Sequence, residues 1–225
     1  MFPLEMILSR YNNNRCTSCP NVHIENDNSA YHLMHCSTNE GQSNTRHRSI
    51  QNEIEAFLRK YIRDPNAIVI NPPMDQIQHV DVAPTPRYAD IFLNYQHGDV
   101  HIYKVIDFTI SCMTSSTNIG HVNGSHMDDK FTMTESERKK FYKYHIFPNL
   151  LQSGAFLPFT LDCFGNIGPL ADTFLTDFAR IFNIGNGVIG TLKRKLATLT
   201  IKETTNCLIN SRKCFINRPV RRLVR

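Results

Sequence analysis

The stretch of residues 87–110, RYADIFLNYQHGDVHIYKVIDFTI, constrains the fold more strongly than any other part of this chain. Two segments rich in β-branched and aromatic residues, 89–95 and 100–110, flank the turn-forming residues Gln-His-Gly-Asp, a pattern that predicts a β-hairpin. Because successive side chains of a strand point to opposite faces, the pairing register decides which residues of this hairpin are buried.

Each strand of the predicted hairpin carries one acid. The turn favours a register in which Tyr95 pairs with Val100. Asp90 then lies opposite Val105, and Asp107 is the diagonal neighbour of Asp90, about 7–8 Å away on the same face. Two carboxylates so placed could share a divalent metal ion, whereas the alternative is two acids on a solvated face. The opposite face carries the expected core residues Ile91, Leu93, Ile106, Phe108 and Ile110.

A helix is predicted before the hairpin. Thr45 can cap a helix that continues to about residue 63. Glu53 lies at the edge of its apolar stripe, so it either faces the predicted sheet as a metal ligand or is a boundary residue. The stripe itself consists of Ile50, Ile54, Phe57, Leu58 and Tyr61.

A second helix is predicted after the hairpin. Thr134 and Glu137 have the spacing of a capping box, and the helix is expected to end near residue 145. Lys139 and Lys143 are four residues apart and share one face of this helix. One of them could point at the hairpin acids, and the alternative is an ordinary pair of surface lysines.

The remaining segments also alternate between strand and helix patterns. The chain as a whole therefore predicts an α/β fold, with a central sheet flanked by helices. Aromatic residues at helical spacing indicate a buried helix face. The predicted segments are strands at 67–70 and 155–163, a polar loop at 113–129, a helix from Pro169 with Leu170, Phe174, Phe178 and Phe182 in register, and one or two basic helices at 188–222.

One segment near the N-terminus has a metal-ligand spacing, C-x2-C-x12-H-x3-C. Two cysteines and a His/Cys pair at these distances can surround Zn²⁺ as a tetrahedron. A site closed by four protein ligands is structural rather than catalytic, and it would help a polar segment to fold. His35 or His23 could replace the histidine, and unrelated free thiols are the alternative. The predicted zinc ligands are Cys16, Cys19, His32 and Cys36.

Composition narrows the class of protein further. An odd number of cysteines, seven, and an N-terminus unlike a signal peptide favour a reduced, intracellular setting. No apolar run approaches the roughly 20 residues of a membrane span, so no membrane association is expected. Residues 193–225 contain ten Lys or Arg and one acid, whereas the whole chain has a net charge of only +5. This concentration suggests a polyanion as partner, most simply nucleic acid, either DNA or RNA. The alternative is a solvated basic helix or a solubility tail.

Together these motifs resemble the carboxy-terminal region of non-LTR retrotransposon reverse transcriptase proteins that carry a restriction-like endonuclease, a member of the PD-(D/E)XK nuclease superfamily. The likeness covers residues 16–215, which is most of the chain. It rests on the order of the motifs along the sequence. After the Cys/His array these are Arg46-His47, Arg87-Tyr88-Ala89-Asp90, Asp107-Phe108-Thr109, Lys143-Tyr144, the FGNIG turn at 164–168 and the basic helical end.

The resemblance implies a zinc-binding segment at residues 1–42, a restriction-endonuclease-like sheet flanked by helices at 43–182, and a basic helical tail at 183–225. It implies that Asp90 and Asp107 bind Mg²⁺ or Mn²⁺ for phosphodiester hydrolysis. The implied activity is the nicking of target DNA to prime reverse transcription, which places the protein in the nucleus.

Two departures from the family pattern affect this chemistry. Arg48 stands where the family usually has an acid after Arg-His, so activity would require Glu53 to compensate. Thr109 stands where the lysine of the (D/E)XK triplet falls, so Lys139 or Lys143 is expected to supply the ammonium group from the helix. Two hypotheses follow: an active nuclease, either as a fragment or a decayed copy of a retroelement protein, and a catalytically inactive zinc-containing nucleic-acid-binding protein on the same fold.

The cysteine spacing makes a prediction about metal content. Purified protein should contain about one zinc ion per chain, and the Cys19→Ser/Cys36→Ser variant should lose it, because thiolates hold structural zinc. Elemental mass spectrometry measures this, with Cys214→Ser as the control outside the motif. Full retention of zinc by the double variant would contradict the proposed ligand set.

Overall fold

The computed structural model describes residues 40–77, 87–111 and 129–216 of the 225-residue chain. The predicted zinc ligands, most of the predicted loop at 113–129 and the end of the basic tail lie outside these residues. Short 3-10 helices at Pro65–Ala67 and Met74–Gln76 flank the first strand. The helices are α1 (Glu40–Tyr61), α2 (Asp129–Lys143), α3 (Pro148–Gln152), α4 (Pro169–Ile181) and α5 (Asn186–Ile216), and the strands are β1 (Ile68–Ile70), β2 (Ile91–His97), β3 (Val100–Ser111) and β4 (Phe156–Asp162).

The four strands form one mixed sheet in the order β1-β2-β3-β4. The first three strands are antiparallel to their neighbours, and β4 runs parallel to β3. A parallel pair needs a crossover connection, and α2 and α3 provide it. The predicted α/β architecture, a sheet flanked by helices, is thereby confirmed.

The predicted hairpin is confirmed, but its register is shifted by two residues. His97 pairs with Val100, so the turn is the two-residue Gly98-Asp99 instead of a four-residue loop. Gly98 has a φ of 56°, the left-handed conformation that two-residue hairpin turns require and that glycine adopts at little cost. A shift of two keeps the paired residues on their predicted faces. The pairing ends at Ile91 and Ile106, and the backbone N–H of Asp90 donates to the carbonyl oxygen of Ile106 at 3.1 Å, so the register does not place Asp90 opposite Asp107.

Two apolar layers hold the helices against the sheet. The larger layer lies between one face of the sheet and helices α1, α4 and α5. The smaller layer lies on the other face, under the end of α2 and under α3. The larger one includes Ile50, Ile54, Phe57 and Leu58 of the predicted α1 stripe and Ile91, Leu93, Ile106 and Phe108 of the hairpin, while the smaller one includes Val105, Tyr144, Phe147 and Phe156.

Two helices begin earlier than predicted. α1 starts at Glu40 instead of at the expected cap Thr45, and α2 starts at Asp129. The predicted capping box at Thr134 and Glu137 is therefore wrong, because both residues lie inside the helix and the Glu137 carboxylate accepts hydrogen bonds from other elements. In contrast, α4 begins at Pro169 as predicted.

The first part of the predicted basic tail belongs to the folded core. It forms the single helix α5, whose Leu192 and Leu196 are buried in the larger apolar layer. α5 runs antiparallel to α1, since Lys195 pairs with Glu53 at 2.7 Å and Arg46 donates a hydrogen bond to Thr204 at 3.2 Å. Among the described residues, no helix combines the length and the apolar character that crossing a membrane requires.

Gly165 makes the contact between α5 and the turn after β4 sensitive to substitution. Its φ is 87°, and a Cβ atom there would lie 2.3 Å from Cα of Ala197. We expect Gly165→Ala to lower the free energy of unfolding by about 2 kcal/mol or more, through overpacking and backbone strain, as measured by urea denaturation. Gly190→Ala is the control, because nothing lies within 4 Å of its Cβ position, and it should stabilise α5 slightly. Wild-type stability of Gly165→Ala would contradict this packing.

Candidate active site

Asp107 is a buried acid in the middle of β3. Only 5% of the residue is exposed, on the face of the sheet that α2 covers. A buried carboxylate needs a compensating charge, because the loss of its hydration is costly. Lys140 of α2 supplies that charge. Its ammonium group forms an ion pair with Oδ2 of Asp107 and donates a hydrogen bond to the carbonyl oxygen of Phe108 at 3.1 Å.

The Asp90 carboxylate is held by two other elements of the fold. Its Oδ2 accepts the backbone N–H of Phe108 at 2.6 Å, and its Oδ1 lies 3.0 Å from Nε2 of His47 on α1. Asp90, Asp107 and Lys140 thus surround one residue of β3. Asp90 binds the N–H of Phe108, Lys140 binds its carbonyl oxygen, and Asp107 is its neighbour in the chain.

The main chain of Asp90 is fixed as firmly as its side chain. Gln51 of α1 donates from Nε2 to the Asp90 carbonyl oxygen at 2.7 Å, and the backbone N–H of Asn71 donates to the same oxygen at 3.0 Å. The same Gln51 amide also reaches Oδ1 of Asn71 at 2.9 Å. Asn71 has a φ of 50°, a left-handed conformation that asparagine tolerates better than most residues. The position of Asp90 is therefore set before any ligand binds.

A buried tyrosine side chain lies near these two carboxylates. Tyr144 is fully buried, and burial, followed by the Asp107 and Asp90 carboxylates, raises the pKa of its hydroxyl far above the usual range, although Arg87 opposes this. The phenol therefore remains a proton donor. Its hydroxyl interacts with the Asp107 carboxylate as a hydrogen-bond donor, whereas the buried Nε of Arg87 has no hydrogen-bond partner among the described residues. A buried donor without a protein partner is compatible with contact to an ordered water or a polar ligand.

The structure does not bring the predicted lysines to the acids. Lys139 and Lys143 are exposed on the opposite side of α2, and the ammonium of Lys143 lies over the ring of Tyr144, 5.3 Å from its centroid. The residue that reaches Asp107 is Lys140. The spacing of Glu137, Lys140 and Tyr144, three and four residues apart, puts all three on one helix face and could have identified it.

Glu53 also lies away from the acids. It faces α5 and forms an ion pair with Lys195 at 2.7 Å. The Glu53 side chain points inward as predicted, with only 16% of it exposed. It faces α5, however, and not the acids of the sheet. Its direction could not be derived from α1 alone, because the apolar stripe of α1 is shared between the sheet and α5.

Glu137 anchors α2 so that Lys140 faces Asp107. Its Oε1 accepts the backbone N–H of Leu170 at 3.1 Å and the hydroxyl of Thr160 at 3.3 Å. The Leu170 N–H belongs to the first turn of α4, where backbone donors lack partners within the helix. Gly168 leaves the space for this contact, since a Cβ there would lie 2.7 Å from Oε1 of Glu137. Burial raises the pKa of Glu137, and the two hydrogen bonds partly oppose the rise.

Asp162 of β4 is the second buried acid in a strand of the sheet. Its Oδ1 accepts the backbone N–H groups of Phe164 and Asn166, both at 2.8 Å, and its Oδ2 accepts the Asn166 amide at 2.7 Å. This carboxylate is committed to shaping the turn between β4 and α4. It is therefore not a third member of the Asp90 and Asp107 site.

The donor set at Asp90 and Asp107 fits Mg²⁺ or Mn²⁺. Magnesium in proteins is usually held by one or two carboxylates, with water and substrate phosphate as the other ligands. Within the described segments, no three side chains of His, Cys, Asp or Glu come close enough to hold a metal ion by themselves. Two carboxylates would therefore leave most coordination positions to water and substrate. A bound cation would also compete with Lys140 for the negative charge of Asp107.

Comparison of the chain with protein-family models, with curated proteins and with solved structures finds no match.

The Lys140–Asp107 pair makes a prediction about stability. Lys140→Met should lower the free energy of unfolding by about 3 kcal/mol, because it leaves a buried carboxylate without its counter-charge. Lys139→Met removes an exposed lysine from the same helix and should change stability by less than about 0.5 kcal/mol. Chemical denaturation of both variants, and of Lys140→Met/Asp107→Asn as a partial rescue, measures the coupling. Equal stability of the two single variants would contradict the buried pair.

The raised pKa of Glu137 makes a prediction about pH. The folded protein binds this proton more tightly than the unfolded chain, whose glutamate pKa is about 4.5. The contribution of Glu137 to stability is therefore lost as pH rises from 4.5 through the folded-state pKa. Urea denaturation between pH 4 and 8 should show wild type losing stability relative to Glu137→Gln over this window. A difference between the two proteins that does not vary with pH would contradict this.

Proposed function

We propose that this chain is a metal-dependent DNA endonuclease domain of a retroelement, which nicks target DNA by phosphodiester hydrolysis with Mg²⁺ or Mn²⁺. The observation that carries the proposal is the grouping of Asp90, Asp107 and Lys140 around Phe108. Two carboxylates and one ammonium group at the end of a hairpin are the groups that such hydrolysis requires.

The residues of the site have distinct roles in this proposal. Asp90 and Asp107 would hold the metal ion, which activates water and neutralises charge that develops on the phosphate. Lys140 would donate a hydrogen bond to a phosphate oxygen. His47 and Gln51 keep the side chain and the carbonyl group of Asp90 in place.

The wider fold supports the same proposal. The α/β order of helix, three antiparallel strands, helix and parallel strand is compatible with a restriction-endonuclease-like core, which is itself part of this proposal. The basic residues concentrated at 193–225 would attract the DNA backbone. Zinc at Cys16, Cys19, His32 and Cys36 remains a prediction from the sequence.

The alternative is a catalytically inactive nucleic-acid-binding protein on this fold. It is favoured by the fact that each acid already has protein partners, since Asp107 pairs with Lys140 and Asp90 with His47. Arg48, which replaces the expected acid, is exposed and lies one residue from His47. Such ion pairs and hydrogen bonds could serve only to stabilise the fold.

A nicking assay on supercoiled plasmid separates the two functions. Wild-type protein should nick in the presence of Mg²⁺ or Mn²⁺, and Asp90→Asn, Asp107→Asn and Lys140→Gln should each reduce the rate by about 100-fold or more, as expected when one electrostatic group is lost from a transition state. Lys60→Gln removes an exposed lysine from the far end of α1 and should nick at the wild-type rate.

The outcomes of this assay are distinct. Metal-dependent nicking that survives Asp107→Asn would contradict the assigned site. The absence of nicking by folded wild-type protein that still binds DNA would favour the inactive binding protein.

A further inference from the structure

The outer face of α2, opposite the acids, is both basic and aromatic. While Lys140 and Tyr144 point into the protein, five neighbouring residues point to solvent. We call these five the α2 outer face. They are Arg138, Lys139, Tyr142, Lys143 and His145, and all of them are exposed.

The rings of Tyr142 and His145 form a preorganised surface for aromatic stacking on this face. Tyr142 is 74% exposed, and its ring lies parallel to that of His145, with centroids 5.2 Å apart and an interplanar angle of 24°. The His145 ring is itself held by a contact of 2.5 Å between its Nδ1 and the carbonyl oxygen of Tyr142. The two rings are thus fixed relative to each other before any ligand binds, which lowers the entropic cost of stacking a third ring on them.

The charge of the outer face is positive where it borders this surface. Arg138 is neutralised by Glu135, which it binds through two contacts of 2.7 Å. Lys139 and Lys143 form no ion pair with any acid of the described residues, and they lie one helical turn, about 6 Å, apart. Two free ammonium groups beside an exposed aromatic pair complement a ligand that alternates phosphates with flat rings.

We propose that the α2 outer face binds single-stranded nucleic acid, with one base stacked on Tyr142 and neighbouring phosphates on Lys139 and Lys143. A duplex offers its phosphates but keeps its base faces within the helix, whereas an unpaired strand offers both. The face lies across α2, about one helix diameter or 10 Å, from the acids. The strand would therefore run beside the proposed active site. The inference does not depend on that site being catalytic.

Fluorescence anisotropy with a labelled 12-nucleotide strand, without added divalent metal, tests the proposal independently of nicking. Tyr142→Leu should weaken binding of the single strand by about 5- to 150-fold, the range found when one base stack is lost, and leave binding of the matching duplex unchanged. Tyr142→Phe keeps the ring and should bind like wild type. Phe164→Leu alters an aromatic residue that is 60% exposed on another turn and serves as the matched control.

The lysines are tested by the salt dependence of binding. Lys139→Gln and Lys143→Gln should each reduce the slope of log affinity against log salt by about 0.7, the contribution of one phosphate contact on a single strand. Lys60→Gln is the matched control, since its ammonium also lies over a neighbouring tyrosine ring, at 5.5 Å from the centroid of Tyr61. Parallel measurements with oligo-dT and oligo-U show whether DNA or RNA is preferred.

Two results would overturn this inference. One is wild-type affinity of Tyr142→Leu for the single strand. The other is an equal loss of duplex and single-strand binding in Tyr142→Leu, which would show that the tyrosine does not contact unpaired bases.

Discussion

The buried negative charge of Asp107 is the constraint on which the rest of the site depends. A carboxylate in the interior costs several kcal/mol unless a counter-charge and hydrogen bonds accompany it. Here the counter-charge comes from Lys140, on a helix that is far from β3 in sequence. The ion pair therefore requires that α2 present Lys140 to the sheet. Replacing a buried ion pair with well-packed apolar side chains often leaves stability unchanged or raises it. We therefore infer that the Lys140–Asp107 pair serves function.

Three contacts to α2 explain why this helix can deliver Lys140 accurately. Glu137 binds the first turn of α4 and the hydroxyl of Thr160 on β4, so the helix is anchored one turn before Lys140. Tyr144 is packed one turn after it, in the smaller apolar layer. The absence of a side chain at Gly168 leaves room for the Glu137 carboxylate. The same contacts keep the side chains of Tyr142 and His145 pointing to solvent. The inner face of α2 therefore contacts the acids, while its outer face is exposed.

Local patterns were sufficient to predict much of this fold. The hairpin, β4, the start of α4 and the burial of the α1 stripe all follow from short-range alternation or helical spacing, and all are confirmed. The hairpin register could not be derived in the same way. Gln96 and His97 are compatible with either turn or strand, and only the pairing of His97 with Val100 decides between them. That Asp90 and Asp107 together hold a metal ion stays a prediction from the sequence.

Selecting the site lysine from the sequence requires knowing which face of α2 meets the sheet. Lys139, Lys140 and Lys143 are all plausible from composition, and the start of the helix at Asp129 does not indicate its inner face. The spacing of Glu137, Lys140 and Tyr144 is the signal that favours Lys140. The direction of the Glu53 side chain is likewise not predictable from its own helix, because it depends on the position of α5. Long-range packing decided both.

The central claim is that Asp90 and Asp107 together bind a divalent metal ion, and anomalous diffraction from crystals soaked in Mn²⁺ tests it most directly. The account predicts one strong anomalous peak in contact with oxygen atoms of both carboxylates, with the ammonium group of Lys140 moved away from Asp107. An ordered site with no peak, in which Lys140 still pairs with Asp107 at saturating Mn²⁺, would contradict the metal-dependent mechanism and leave a structural ion-pair network in its place.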